Sequence, residues 1–287
     1  MTDGMLRVVQ LNAGSLLEPG WDERRHEIVV WLERLEPDIV CLQEIWESDK
    51  DPNTAQWLAD AMPAAGWHVA FGGHAFAPEV WPDPALRFGR AVLSRWPIDD
   101  EVGHLLPVAA NGDADPIVRG VPWGLLHVRT ARLDVFSAHL TAPPQAGRHR
   151  LLQVLAIDDI VRSAAAEAAM PIVLCGDFNA EPDSDEIRFL CGLTVLDGRT
   201  TFYQEAWRVA GEGPGDTQDW RTNPIAAAMN IHRKRIDYVF LGDGFLREGS
   251  AGRVMSAALA FHEPLTGVLA SDHTGLVVDV VWPARPS

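Results

Sequence analysis

The sequence predicts one α/β domain over residues 1–287, built from mixed sheets with helices packed outside them. Three observations predict it. Strand-like and helix-like segments alternate along the chain. Several apolar runs stop abruptly at a carboxylate, amide or imidazole, as strands do where they deliver side chains to a site at the end of a sheet. Neither an internal repeat nor a linker divides the 287 residues, a length one large domain accommodates.

Taken in order, Leu6 to Leu11 reads as a strand stopping at Asn12. Asp22 to Leu35 places Ile28, Val29, Trp31, Leu32 and Leu35 at helical spacing, and Glu36-Pro37 breaks it. Asp38 to Gln43 is a short buried strand ending at Glu44, and Ala55 to Met62 is a second helix. Trp67 to Phe71 and Arg90 to Ser94 read as strands separated by a Gly/Pro-rich loop. Ile117 to Val128 and Arg132 to His139 read as antiparallel neighbours; in the second, Leu133, Val135, Ser137 and His139 share one face. Gln145 to Ala169 is the longest helical stretch, and Pro171 opens the strand leading to Asp177. Beyond Gly192 the pattern is irregular, and Gly211-Glu212-Gly213-Pro214-Gly215 reads as a mobile surface loop. Strand character returns at Arg235 to Leu241 and at Leu276 to Val280.

The net charge of −16 argues against a broad electrostatic grip on nucleic acid, and Lys50 and Lys234 are the only lysines. A nucleic-acid partner stays open, because divalent cations bridge an acidic site to phosphate. No apolar run is long enough to cross a bilayer. The opening residues carry no basic region followed by an apolar stretch, so a secretory signal is not expected. Cys41, Cys175 and Cys191 lack metal-ligand spacing and read as reduced thiols, which points to the cytoplasm.

The chemistry-bearing candidates are Asn12, Glu44, His139, Asp177, Asn179, Asp237, Asp272 and His273. Carboxylates and an amide offer hard oxygen ligands, which suit magnesium or manganese better than zinc. The two imidazoles are left for phosphate binding and proton transfer. Each has a plainer reading. Asp177-Phe178-Asn179 suits a turn, Asp272-His273 a cap, His139 a satisfied core position, and Asp237 a salt bridge with the basic run His232 to Arg235. Glu44 follows a buried run, where an unpaired carboxylate is costly and a cation is the economical partner.

Six short motifs occur in order: Leu11-Asn12, Leu42-Gln43-Glu44, Ser137-Ala138-His139-Leu140, Gly176-Asp177-Phe178-Asn179, Arg235-Ile236-Asp237-Tyr238 and Ser271-Asp272-His273. Together they resemble the endonuclease/exonuclease/phosphatase superfamily. That resemblance implies a four-layer α/β sandwich, two mostly antiparallel sheets face to face with helices outside. It implies Glu44 as the central metal ligand with Asn12 and Asp272 near it, and Mg2+ or Mn2+ as the cofactor. Asp177 and Asn179 would orient water or contact phosphate, and His139 would donate to a phosphoryl oxygen. His273 would be the general acid/base, held in its tautomer by Asp237.

Two positions depart from the family pattern. Gly14 stands where some members carry an acid, and Arg90 where Asn is usual; Arg90 reads either as a contact to an anionic substrate or, preferably, as a solvated strand-edge residue. Arg119 reads as a surface arginine opening a strand. Of eleven tryptophans, Trp31, Trp57 and Trp67 read as core, whereas Trp46, Trp81 and Trp220 are candidates for the substrate pocket or its rim. The expected activity is metal-dependent hydrolysis of a small or lipid-linked phosphate ester; His139 to Pro143, with the Gly147-Arg148-His149-Arg150 that follows, is similar to the sphingomyelinase-like branch. The alternatives are a nuclease, gripping through Arg148, Arg150 and His232 to Arg235, and a non-catalytic binding module on the same scaffold.

Overall fold

Residues alternate sides along β1 (Met5–Asn12): Leu6 and Val8 enter one core, Val9 and Leu11 another. That alternation is the key to the architecture, because both faces of the strand are covered. In a computed structural model, which describes residues 4–63, 66–110, 115–166, 168, 170–228, 232–242 and 248–282, Val9 and Leu11 pack under helices α1 (Trp21–Leu35) and α2 (Thr54–Ala61). Leu6 and Val8 face a second sheet.

The first sheet runs β11 (Val254–Ala260), β12 (Gly275–Val281), β1, β2 (Ile39–Glu47), β4 (Arg87–Ser94), β3 (His68–Ala75). The second runs β5 (Ile98–Leu105), β6 (Gly124–Thr130), β7 (Asp134–His139), β8 (Val173–Asp177), β10 (Asp237–Leu241), β9 (Gln204–Glu205). β1–β2 and β7–β8 are parallel; the other pairs are antiparallel. Outside the second sheet, α4 (Gly147–Ala165) and α5 (Asp185–Leu190) cover Phe136, Ala138, Leu174 and Phe240. Helix, sheet, sheet, helix is the four-layer α/β sandwich that the resemblance implies. Among the described residues no helix is long and apolar enough to cross a membrane.

Several expectations are corrected. The stretch read as a strand over Ile117 to Val128 begins instead as α3 (Pro116–Gly120), where Asp115 accepts the Ile117 N–H at 2.9 Å and Pro116 pre-sets the first turn. Arg119 therefore sits on a helix and donates to the Ala110 carbonyl. The sequence reading misses β5 and β11, both edge strands; β5 is largely exposed and carries Asp99, Asp100 and Glu101 in succession, so it offers no alternation to read. The long helix starts after a 3-10 turn at Pro144–Ala146 and ends at Ala165, and residues 167 and 169 of its expected end lie outside the described residues. The glycine-rich tract is folded onto Trp207, whose Nε1 donates to the Gly213 carbonyl at 3.1 Å. A short helix, α6 (Ala206–Ala210), carries that tryptophan.

Candidate functional site

At one end of the inter-sheet core the inward-facing positions change from apolar to polar on neighbouring strands. On β1, Val8 gives way to Gln10 and Asn12; on β7, Val135 to Ser137 and His139; on β8, Cys175 to Asp177; on β10, Val239 to Asp237. Strand register does the assembly: His139 pairs with Asp177 across β7–β8, and Asp177 with Asp237 across β8–β10. Gly176 permits this close pairing, since a Cβ there would stand 2.3 Å from the Ala138 carbonyl oxygen. Below, the amides of Gln10 and Gln43 pair with each other; Gln43 also donates to Ser137 (3.1 Å) and Gln10 to Asp237 (3.3 Å). Both sheets are thus tied together beneath the site.

Glu44 arrives by a different device. The register of β2 against β4 shifts between Gln43 and Ile45, and Glu44 takes a left-handed backbone with φ 58°. A bulge of this kind re-aims one side chain without ending the strand, and for a non-glycine residue it is strained. Asn179, φ 49°, is held similarly by donating its backbone N–H to Asp177 (2.9 Å) and its side chain to the Leu140 carbonyl (3.0 Å).

All eight sequence-predicted residues meet in one network. Asn12 Nδ2 bridges Glu44 and Asp177 at 3.0 Å each, while its Oδ1 accepts the Gly14 N–H at 3.1 Å. Asp177 Oδ2 lies 3.7 Å from His139 Nε2 and 3.9 Å from His273 Nε2. His273 Nδ1 is 2.8 Å from Asp237 Oδ2, and its Nε2 is 3.7 Å from Asp272. Asp237 in turn is anchored by its own N–H, which donates to Thr217 Oγ1 (3.2 Å).

The environments push the titrations apart. Burial lowers the His139 imidazole to about 4 against the opposing pull of Asp177, so it is neutral at physiological pH. It sits edge-on to Trp123 with ring centroids 5.0 Å apart. Burial also works to lower His273, but Asp237, Asp272 and Asp177 outweigh it and hold that imidazole well above its ordinary value. The two imidazoles are thereby shifted in opposite directions. Asp177 is raised by burial and by Asp237.

A cation fits beside Glu44. Its Oε2 is buried with no hydrogen-bond partner. Burial, then the carboxylates of Glu18 and Asp272, raise Glu44 well above the usual carboxylate range. Glu18 is the residue the sequence reading misses. Its Oε2 is likewise buried and unpartnered, and burial followed by Asp272 raises it to about 7. A Cβ on Gly14 would lie 2.6 Å from Glu18 Oε2 and 3.3 Å from Asp272 Oδ1, so both carboxylates face the space that Gly14 leaves. The loop is shaped by buried Arg24, which donates to the carbonyls of Ala13, Gly14 and Glu18. Asp177, Asp237 and His273 also bring one ligand atom each within 4.8 Å of one another. Asp237 and His273 already satisfy each other there, so the unpartnered oxygens favour the Glu44 position.

Other residues depart from expectation. Gln218 Nε2 stands 3.3 Å from both Asp272 and His273 Nε2, and no sequence signal marks it. Arg90 is buried rather than solvated: it donates to the carbonyls of Pro122 and Gly72 (2.7 Å each), and burial lowers it to about 9. Arg150 is buried on Glu186, Arg235 pairs with Glu205, Arg233 with Asp216 and His232 with Glu181, so most of the supposed basic patch is already partnered. Residues 229–231 of the preceding loop lie outside the described residues. Trp81 lines the cavity over the site, Trp46 packs beside Phe76 and Phe88, and Trp220 is exposed.

Comparison with known proteins agrees with this fold. The profile described as "Endonuclease/Exonuclease/phosphatase family" matches residues 9–273. Human protein angel homolog 1 is 27% identical over 212 residues, covering 67% of this chain; the match spans only 28% of that protein. Among solved structures, an endonuclease/exonuclease/phosphatase from Beutenbergia cavernae superposes with TM-score 0.71 at 22% identity, over 98% of this chain and 72% of that one. The human Nocturnin catalytic domain with bound sulfate gives 0.67 at 21%, over 98% and 95%. TDP2 of D. rerio, complexed with a single-strand DNA product, gives 0.69 at 18%, over 97% and 99%.

Proposed function

This chain belongs to the Endonuclease/Exonuclease/phosphatase family of hydrolases, and from that premise we propose that it is a divalent-metal-dependent phosphoesterase, a diesterase or phosphatase acting on a small or lipid-linked phosphate ester. The observation that carries the reading is the pairing of two oppositely tuned histidines with unpartnered carboxylate oxygens in one cleft.

Glu44, Glu18 and Asp272, with Asn12 beside them, would hold Mg2+ or Mn2+, an all-oxygen set suited to either. When bound, the ion supplies a Lewis acid that neutralises charge on the phosphoryl oxygens. Asp177 and Asn179 orient the attacking water. Neutral His139 donates a hydrogen bond to a phosphoryl oxygen, a contact that strengthens as charge develops. His273 moves the proton at Nε2, because Nδ1 is committed to Asp237. A cytoplasmic site is part of the reading and rests on three buried free thiols.

The test is hydrolysis of bis(p-nitrophenyl) phosphate against p-nitrophenyl phosphate with Mg2+ or Mn2+, beside Glu44→Ala and His273→Ala. Metal-dependent turnover lost in both variants is expected, and the preferred ester separates diesterase from monoesterase. Plasmid nicking without ester turnover would favour the nuclease. Metal binding with neither activity would favour a binding module.

A further inference from the structure

Over the catalytic network opens a cavity of about 400 Å3, within the range of small-molecule sites. Its floor is polar, but its walls are not: Leu17, Phe76, Val80, Trp81, Ile117 and Trp123 line them. They come from three separate loops, after β1, after β3 and around α3, so the apolar character is not the by-product of one amphipathic element. Two are left to water at the rim: Leu17 is 57% exposed and Ile117 42%. Among the described residues, Lys234 is the one lysine in this lining and no arginine belongs to it.

The wall is also fixed in place. Ala77 N–H donates to the Gly120 carbonyl at 2.8 Å, and Trp123 Nε1 to Val118 at 3.1 Å. Buried Arg90 binds the Pro122 carbonyl from behind. Phe76 stacks on Trp81 with centroids 5.9 Å apart and leans on Phe88 at 4.9 Å. A Cβ on Gly120 would meet Val80 at 2.3 Å, which shows how closely the two loops meet. A preformed apolar wall lowers the ordering cost of binding an apolar group.

We propose that this cavity receives an apolar ester group, aryl or alkyl, carried on the phosphorus of the substrate. The enzyme then prefers apolar phosphate esters to nucleotides. The inference rests on the phosphoesterase reading of the same cleft. A nucleotide chain would bring further phosphates, which call for clustered cations that these walls do not supply.

The test uses p-nitrophenyl phosphodiesters whose second ester group is methyl, hexyl, phenyl or thymidine-5′-yl, with Mg2+ or Mn2+. The expected kcat/KM for the hexyl or phenyl ester exceeds that for methyl by about tenfold or more, since each buried methylene is worth roughly 0.8 kcal/mol; whichever leads tells an alkyl from an aryl substrate. Trp81→Ala and the rim change Ile117→Ser are expected to shrink the hexyl-to-methyl ratio at least fivefold, roughly the contribution of a little more than one methylene. Equal rates across the series would sink the apolar subsite and leave the phosphoesterase reading standing. A faster thymidine ester would overturn it in favour of nucleic acid. If no ester turns over, the phosphoesterase reading fails, and calorimetric titration with hexylphosphonate and methylphosphonate decides the cavity separately: tighter hexyl binding lost in Trp81→Ala supports it, equal binding removes it.

Discussion

The two ends of the inter-sheet core are built from the same strands with the same two-residue period, yet they do opposite work. At one end Leu6, Val8, Ile39, Cys41, Val135, Val173 and Val239 close an apolar seam. Two or four residues further along, those strands present Gln10, Asn12, Gln43, Ser137, His139, Asp177 and Asp237 to the same interior. Burial that stabilises the first set is unfavourable for the second, which survives largely by hydrogen bonding within itself. The apolar end supplies free energy and register; the polar end uses that register to hold groups where water alone would not keep them.

The sharpest way to break the comparison is Glu44→Gln. It removes the proposed central ligand of the cation and is expected to lower kcat/KM by roughly a thousandfold or more. It also removes a carboxylate that burial, Glu18 and Asp272 all disfavour, so the metal-free thermal midpoint at pH 8 should rise. Activity and stability falling together would mean that Glu44 is a structural residue.

Asp237→Asn tests the polar seam one step further from the ion. The side chain keeps its place between Gln10 and the Thr217-anchored backbone but no longer orients a charged imidazole. A loss of about a hundred- to a thousandfold in kcat is expected. Because Asp237 is the leading influence raising His273 against burial, its removal should also move the His273 limb of the pH–rate profile to lower pH. A profile that keeps its shape would show that His273 is not the proton carrier.

At the apolar end, Leu6→Ala should do the reverse. Leu6 is buried in the seam near the start of β1, paired with Val280 and six residues before Asn12. Its truncation should cost roughly 2 to 5 kcal/mol of stability in chemical denaturation, with kcat/KM of the folded enzyme changed less than about twofold, a shift under 0.5 kcal/mol. A large kinetic loss would mean that packing at the far end transmits to the site.

The asymmetry also explains what the sequence made legible. Asn12, Glu44, His139 and Asp177 stand out because each ends an apolar run, so a break in period marks them. Gln10 and Gln43 carry the same signal one period earlier and could have been read from it. Glu18 could not: it lies in a loop without periodicity and reaches the site because Arg24 folds the loop's carbonyls around itself. Gln218 comes from equally irregular chain. Arg90 is misread because a buried arginine with carbonyl partners has the same local sequence as an exposed one. α3 is misread because Ile117, Val118 and Val121 imitate a strand, although Asp115-Pro116 carries the helix-start signal.

Metal stabilisation against pH gives the smallest effect and separates the two ends in one experiment. Glu18 is raised to about 7, and Glu44 well above its usual range, in both cases chiefly by burial. Between the ordinary carboxylate value and about 7, the metal-free folded state therefore binds more protons than the unfolded state, and its stability contribution from these groups falls as pH rises through that window. A cation needs the deprotonated carboxylates, so its binding releases protons and tightens over the same window. The thermal shift produced by Mg2+ should accordingly be larger at pH 8 than at pH 5.5, by an amount corresponding to about a tenfold change in affinity, near 1.4 kcal/mol. Leu6→Ala should lower the baseline at both pH values and leave the difference intact. Glu18→Gln should diminish the difference, because it removes one of the protons that the ion displaces. A shift independent of pH, or one untouched by Glu18→Gln, would place the ion elsewhere, with the Asp177, Asp237 and His273 trio as the position to test next.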